Sequence, residues 1–212
     1  MKKIILAIAA ATFMVQMGSA QEDPLDLREQ LTFGVKAGLN VSNVYDSQGE
    51  EFDNDAKLGL AAGAFVAIPL GTYLGVQPEV LFSQKGFKAT GSVLGSDYEF
   101  KRTTNWLDVP LLIAVKPSST VTLLAGPQFS FLIDGKYDFD SDIVSGGVEQ
   151  EFDNDDERKS ILCLTGGLDI TLDNLVIGGR AGFDLKENNK DGTSETPRYK
   201  NVWIQATIGY RF

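Results

Sequence analysis

The chain has 212 residues, 43% of them apolar, with 22 glycines, one cysteine, no histidine and a formal net charge of −10. Imidazole-based triads and histidine-containing metal sites are therefore excluded, and the lone Cys163 leaves no intramolecular disulfide. So acidic a chain disfavours nucleic acid and anionic surfaces as partners.

Met1 to Ala20 reads as a secretory signal peptide, domain 1–20. Lys2 and Lys3 form its charged region, Ile4 to Val15 its apolar region, and Gly18-Ser19-Ala20 a small-residue cleavage site before Gln21. The apolar run is too short to span a bilayer. Loss of Lys2 and Lys3 takes the formal charge from −10 to −12. No cysteine follows the cleavage site to accept a lipid anchor, and residues 21–30 form a short, polar periplasmic leader.

From Leu31 the pattern changes to strict alternation, the signature of strands with two unlike faces. Leu31, Phe33, Val35, Ala37, Leu39 and Val41 oppose Thr32, Gly34, Lys36, Gly38, Asn40 and Ser42. Alternation resumes over 57–68 after a polar loop, with small residues filling the second face, and Pro69-Leu70-Gly71-Thr72 makes a tight turn. The third strand, 73–85, sets Tyr73, Gln77, Glu79, Ser83 and Lys85 against an apolar row. Gly86 to Asp97 is expected to be a loop, and 106–116 and 121–133 are strands joined by Pro117-Ser118-Ser119. The acidic stretch Asp134 to Lys159 has no apolar periodicity and is expected to be a loop. Strands over 162–171 and 175–184 flank the turn signal Asp173-Asn174, and a last loop, Lys186 to Lys200, leads into the strand 202–212.

About eight strands joined by long loops and short turns in alternation predict an all-β, up-and-down antiparallel transmembrane β-barrel over 31–212. The charges support that facing: Lys36, Glu79, Asp108, Lys116, Asp169, Arg180, Asp184 and Arg211 all fall on the mixed face, expected to be the interior. At eight strands the interior is just wide enough for side chains to fill it, so Glu79, Asp108, Arg180 and Arg211 are expected to find opposite charges inside. A narrow ion-conducting barrel is one alternative. The other is a secreted, soluble, lipocalin-like barrel binding a small ligand, which requires the reverse facing. Pro78, Pro110 and Pro127 lie inside strands and cannot donate to a ladder, which predicts bulges or local breaks there.

Four stretches carry a family resemblance: Phe33-Gly34-Val35-Lys36-Ala37-Gly38-Leu39-Asn40, Trp106-Leu107-Asp108-Val109-Pro110-Leu111-Leu112, Ala125-Gly126-Pro127-Gln128-Phe129 and Gly209-Tyr210-Arg211-Phe212. In order and spacing the chain resembles the PorT-like outer-membrane β-barrel family, common in Bacteroidetes. The resemblance implies a small barrel of the Gram-negative outer membrane with a structural or interaction role and no catalytic residues to transfer. Its expected partners are outer-membrane lipid and the barrel-insertion machinery. One departure is the glycine of the C-terminal signal, which stands nearer the final aromatic here than in many outer-membrane proteins.

The pentapeptide Glu51-Phe52-Asp53-Asn54-Asp55 recurs as Glu151-Phe152-Asp153-Asn154-Asp155, in segments that invite loose binding of divalent cations. Asp138, Asp140, Asp142 and Glu149 share EF-hand spacing, but Ile143 stands where that loop needs glycine. Asn40-Val41-Ser42 fits a glycosylation sequon inside a membrane strand and is read as chance. There is no nucleophile elbow and no phosphate-binding glycine loop, and solvated carboxylates lack the burial that tunes a general acid. Neither enzyme activity nor a cofactor, metal or catalytic residue is expected.

Overall fold

A computed structural model of the chain describes residues 27–45, 54–93, 96–141, 144–151, 158–188 and 199–212. The signal peptide, most of the leader and much of both acidic pentapeptides lie outside them. Among the described residues a 3-10 turn at Leu27–Glu29 is followed by nine strands: β1 Thr32–Tyr45, β2 Asn54–Pro69, β3 Leu74–Val93, β4 Ser96–Val115, β5 Val121–Ser141, β6 Val144–Glu151, β7 Ser160–Leu172, β8 Leu175–Asp184 and β9 Lys200–Arg211. All pair antiparallel. Eight of them close a barrel in the order β1-β2-β3-β4-β5-β7-β8-β9 and back to β1, while β6 pairs only with the far end of β5. Closure runs from Gly34↔Arg211 to Tyr45↔Lys200, extended by a hydrogen bond from Phe212 N to Phe33 O at 2.7 Å. No sheet edge is left in the wall.

The short turns follow from local chemistry. Gly71 adopts φ of 155°, which side-chain-bearing residues rarely reach, and Leu70 N donates to Leu74 O at 2.9 Å. At the β7–β8 turn Asp173 takes φ of 54°, and the Asn174 side chain donates to Arg211 O at 2.7 Å.

Two expected loops are strands instead. Gly86 to Asp97 continues the β3–β4 ladder to Val93↔Ser96, and Asp134 to Lys159 contains the end of β5 and all of β6. Asp138 and Glu149 are cross-strand partners and Asp140 lies on β5, so these residues with EF-hand spacing stand on paired strands; Asp142 lies outside the described residues. Backbone pairing thus persists where the apolar alternation of the sequence has gone.

The prolines interrupt pairing without shifting register. β2 and β3 pair at Phe65↔Glu79 and next at Ile68↔Val76, which omits Pro78. The β3–β4 ladder omits Pro110, and the β4–β5 ladder omits Pro127. The expectation of local breaks thus holds, on one side of each proline. The true register shifts fall elsewhere, between Ala56 and Ala61 against β3, between Asn105 and Trp106 against β5, and between Phe139 and Ser141 against β6. At the first, Gly86 takes φ of 147°, and the Ser42 hydroxyl both accepts from Gly86 N and donates to Gly86 O, each at 2.9 Å.

Facing decides the class of barrel. Ile204 and Ile208 are each 64% exposed, whereas Asn40 is 0% and Asp108 1% exposed. The outside is a continuous aliphatic and aromatic band, with Phe33, Tyr73, Tyr210 and Phe212 near the short-turn rim. A soluble carrier needs the reverse arrangement, and this facing excludes it.

Glycines on the inner face make room for rings. Phe65 lies over Gly34, and a Cβ at Gly182 would stand 2.5 Å from the Trp203 ring. Gly182→Val is therefore expected to cost about 1–3 kcal/mol through overpacking, read as a lower urea midpoint for the protein refolded in lipid vesicles.

Candidate functional site

The lumen is the place where chemistry-bearing side chains converge, and it is built in layers. Inward residues at every second position of each strand are brought level by the stagger of neighbouring strands.

The layer nearer the short turns joins β1, β3, β7 and β8. Lys36 Nζ stands 2.5 Å from Glu79 Oε2, and Arg180 Nη2 stands 3.6 Å from Glu79 Oε1. Arg180 also holds Asp169 bidentately, at 2.8 and 2.9 Å. Gln77 donates to Glu79 at 2.9 Å and to Asp169 at 3.3 Å. Two cations thus meet two carboxylates, and the four side chains are at most 9% exposed.

The layer nearer the long hairpins centres on Lys85. Its ammonium lies 3.0 Å from Asp108 Oδ2, 3.4 Å from Ser130 Oγ, and over the Trp203 and Trp106 rings at 4.0 and 5.7 Å. Cys163 Sγ donates to Asp184 Oδ1 at 3.1 Å, and Asn201 donates to Asp184 Oδ2 through its backbone at 3.0 Å and its amide at 2.6 Å. Trp106, Ile161, Cys163 and Trp203 form a small apolar cluster beside these charges.

Amides and hydroxyls link the layers. Gln205 donates to Asn40 at 2.9 Å, Asn40 to Ser83 at 2.8 Å, and Gln128 to Ser130 at 3.1 Å. The void between Glu79 and Gln205 has a volume of ≈ 10 Å³, room for about one water. Arg180, whose Nε has no hydrogen-bond partner, is among the residues that line it. Above, the Arg102 guanidinium lies 4.8 Å from the centre of the Tyr199 ring, and Phe87 meets Tyr199 edge-on at 5.8 Å.

Seven of the eight interior charges expected from sequence are buried inside: Lys36, Glu79, Asp108, Lys116, Asp169, Arg180 and Asp184. The eighth, Arg211, is half-buried at the short-turn mouth and donates to Asp173 O at 3.3 Å instead of meeting a lumen carboxylate. Tyr73, assigned to the inward row, stands 65% exposed at the end of a turn. Alternation already put Lys85, Trp106, Cys163 and Trp203 on the inward face, yet which of them meet was not visible. Among the described residues no cluster of three or more cysteine, aspartate or glutamate side chains is arranged to hold a metal ion.

Residues 19–210 match the model of the family described as outer membrane protein beta-barrel domain. The chain belongs to this family. Solved structures similar to the chain include Ail of Yersinia pestis in complex with the heparin analogue sucrose octasulfate, 19% identical over 86% of this chain and 99% of that one, with a TM-score of 0.50. Neisserial surface protein A is 12% identical over 85% and 97%, with a TM-score of 0.48. OprG of Pseudomonas aeruginosa is 13% identical over 85% and 95%, with a TM-score of 0.41. The likeness to Ail shows a shared fold, and the other two carry no argument. No curated protein matches the chain.

Membership of the outer-membrane barrel family gives the lumen its orientation. Short turns in such barrels face the periplasm and long connections face the exterior. The Lys36–Glu79–Arg180–Asp169 layer is thus periplasmic, and the Lys85–Asp108 layer with the β3–β4 and β5–β6 hairpins is external. The protein resides in the Gram-negative outer membrane, with its aliphatic band against lipid.

Proposed function

We propose that the protein is a closed, non-catalytic barrel of the PorT-like kind whose work lies in the hairpins it holds outside the membrane. One observation carries this reading: each buried lumen layer couples cation to carboxylate across strands, so the interior serves as a filled strut that positions β3–β4 and β5–β6. In planar bilayers the purified barrel is expected to show no unitary current over a range of voltages. Discrete openings would replace this reading with a narrow ion-conducting barrel.

The domain layout belongs to the same proposal: 1–20 removed, 21–30 periplasmic, 31–212 the barrel. Mass spectrometry of the membrane-extracted protein is expected to find Gln21 at its start. Membrane fractions with and without detergent, read by heat-modifiable gel mobility, are expected to place the mature chain with the detergent-soluble pool. The insertion machinery engages the C-terminal strand through Phe212, and the acidic external segments take divalent cations loosely. Calorimetric titration with calcium is expected to give weak heat without saturation, and a saturable isotherm would instead assign a specific site.

A further inference from the structure

The chain enters the barrel by lying on its periplasmic rim. The β1–β2 ladder begins only at Thr32↔Ala67, so the 3-10 turn Leu27–Glu29 that precedes it adds no rung to the wall. Side chains secure the turn instead. Lys116 Nζ, just past the end of β4, donates to Arg28 O at 2.8 Å, and Glu29 accepts from the Thr72 hydroxyl in the β2–β3 turn. The Arg28 guanidinium lies 5.4 Å from the centre of the Tyr73 ring, which is 65% exposed. The segment thus leaves β1 and reaches over the β2–β3 turn to the end of β4.

The turn borders a vestibule of ≈ 30 Å³, room for about two waters. Arg28 and Lys116 line this vestibule together with Phe65 and Val176, and its lining also includes Gln77 and Asp169 of the periplasmic charged layer. The turn therefore sits where the periplasm would meet that layer. It is held far more weakly than the strand it leads into, because β1 is laddered on both sides, from Thr32↔Ala67 to Ser42↔Lys57 and from Gly34↔Arg211 to Tyr45↔Lys200. An exposed hydrogen bond and a contact with an exposed ring belong to the low end of local stability, and such a segment opens while the ladders stay intact. We propose that Leu27–Glu29 is a displaceable latch on the periplasmic mouth, which admits water and small solutes to the vestibule when the leader is drawn off the rim. The wall stays closed throughout, so the latch sets access to the Gln77–Asp169 side of the lumen without changing the fold.

The test reads access to Val176, a vestibule residue only 6% exposed. Val176→Cys in the full mature chain is modified with a water-soluble methanethiosulfonate, alone and together with Thr72→Val and Tyr73→Leu. Neither Thr72 nor Tyr73 lines the vestibule, so the pair loosens the latch from outside. Modification of V176C is expected to be about tenfold faster with T72V and Y73L, as two weak contacts are lost. Glu29→Ala, outside every strand, removes the Thr72 contact from the latch side and is expected to shift the rate in the same direction. Cys163, 0% exposed inside the lumen, is the internal control and is expected to stay unmodified in every variant, with heat-modifiable mobility unchanged. Equal V176C rates with and without the rim substitutions overturn the proposal, because the turn then covers nothing. A rise at Cys163 in step with V176C overturns it as well, because the wall and not the latch has then opened.

Discussion

Asp108→Ala is expected to destabilise the barrel by about 3–5 kcal/mol, the largest effect of any single lumen substitution considered. The reason is what it leaves behind. Lys85 is 1% exposed and has Asp108 as its ion-pair partner at 3.0 Å, with Ser130 and two indole rings around it. Without Asp108 the ammonium keeps its desolvation penalty and loses its closest ion partner, with Asp184 left as a more distant carboxylate. The rings hold some of that charge, but cation–π attraction amounts to about 2 kcal/mol even when desolvated. Replacing both partners at once, as Lys85→Met with Asp108→Leu, is expected to cost less than D108A, because that pair of charges leaves together while Asp184 keeps its hydrogen bonds from Cys163 and Asn201. Trp106 and Trp203 flank the site, so urea unfolding in vesicles followed by their fluorescence reads it directly. A D108A midpoint equal to the wild-type value would show that the Lys85 layer does not hold the wall.

The periplasmic layer is built differently, and its response separates pairing from mere polarity. Arg180→Met leaves Asp169 with Gln77 and leaves Glu79 with Lys36 at 2.5 Å, so one carboxylate keeps an ion partner and the other keeps one amide. Its cost is expected to fall below that of D108A in the same unfolding measurement. A larger cost would mean that the bidentate Arg180–Asp169 contact organises the lumen.

Much of this barrel was legible in the sequence because lipid and a polar lumen impose opposite demands on successive residues. Val202, Ile204, Ala206, Ile208 and Tyr210 could be set outward from alternation alone, and Lys36, Glu79, Asp169 and Arg180 inward. What stayed hidden has two physical causes. In β3–β4 and β5–β6 the apolar alternation that marks a strand is lost while the ladder continues, from Phe87↔Arg102 to Val93↔Ser96 in β3–β4. Inside, parity tells which residues point in but not which are level. Lys85 and Asp108 are 23 residues apart, Lys36 and Glu79 are 43, and their meeting depends on strand stagger and on the register shift near Gly86. The pairing first looked for among Glu79, Asp108, Arg180 and Arg211 was therefore right for Glu79 with Arg180 and missed Lys85. Arg211 fell outside it because β9 ends at the rim, where its guanidinium donates to the Asp173 carbonyl.

Ile204→Arg is expected to destabilise the folded barrel by about 2–4 kcal/mol, the cost of a cation on the lipid face near the bilayer midplane. Ile204 lies midway along β9, pairs with Val41 on β1 and Ala181 on β8, and is 64% exposed on the outside of the wall. Its neighbour Gln205 points inward, 4% exposed and bonded to Asn40, so one step along the chain exchanges lipid for the amide layer. The size of the effect tests depth as well as facing. Tyr210→Arg, at the periplasmic end of the same outward row, is expected to cost about 0–1 kcal/mol, because a long side chain there reaches the headgroups. A register slipped by one residue would turn Ile204 into the lumen, where an arginine meets Asn40 and Gln205 rather than acyl chains, and the depth dependence between 204 and 210 would vanish. Equilibrium unfolding of the two variants in the same lipid vesicles measures that difference. Equal costs at the two positions would show that the outward row does not face a bilayer.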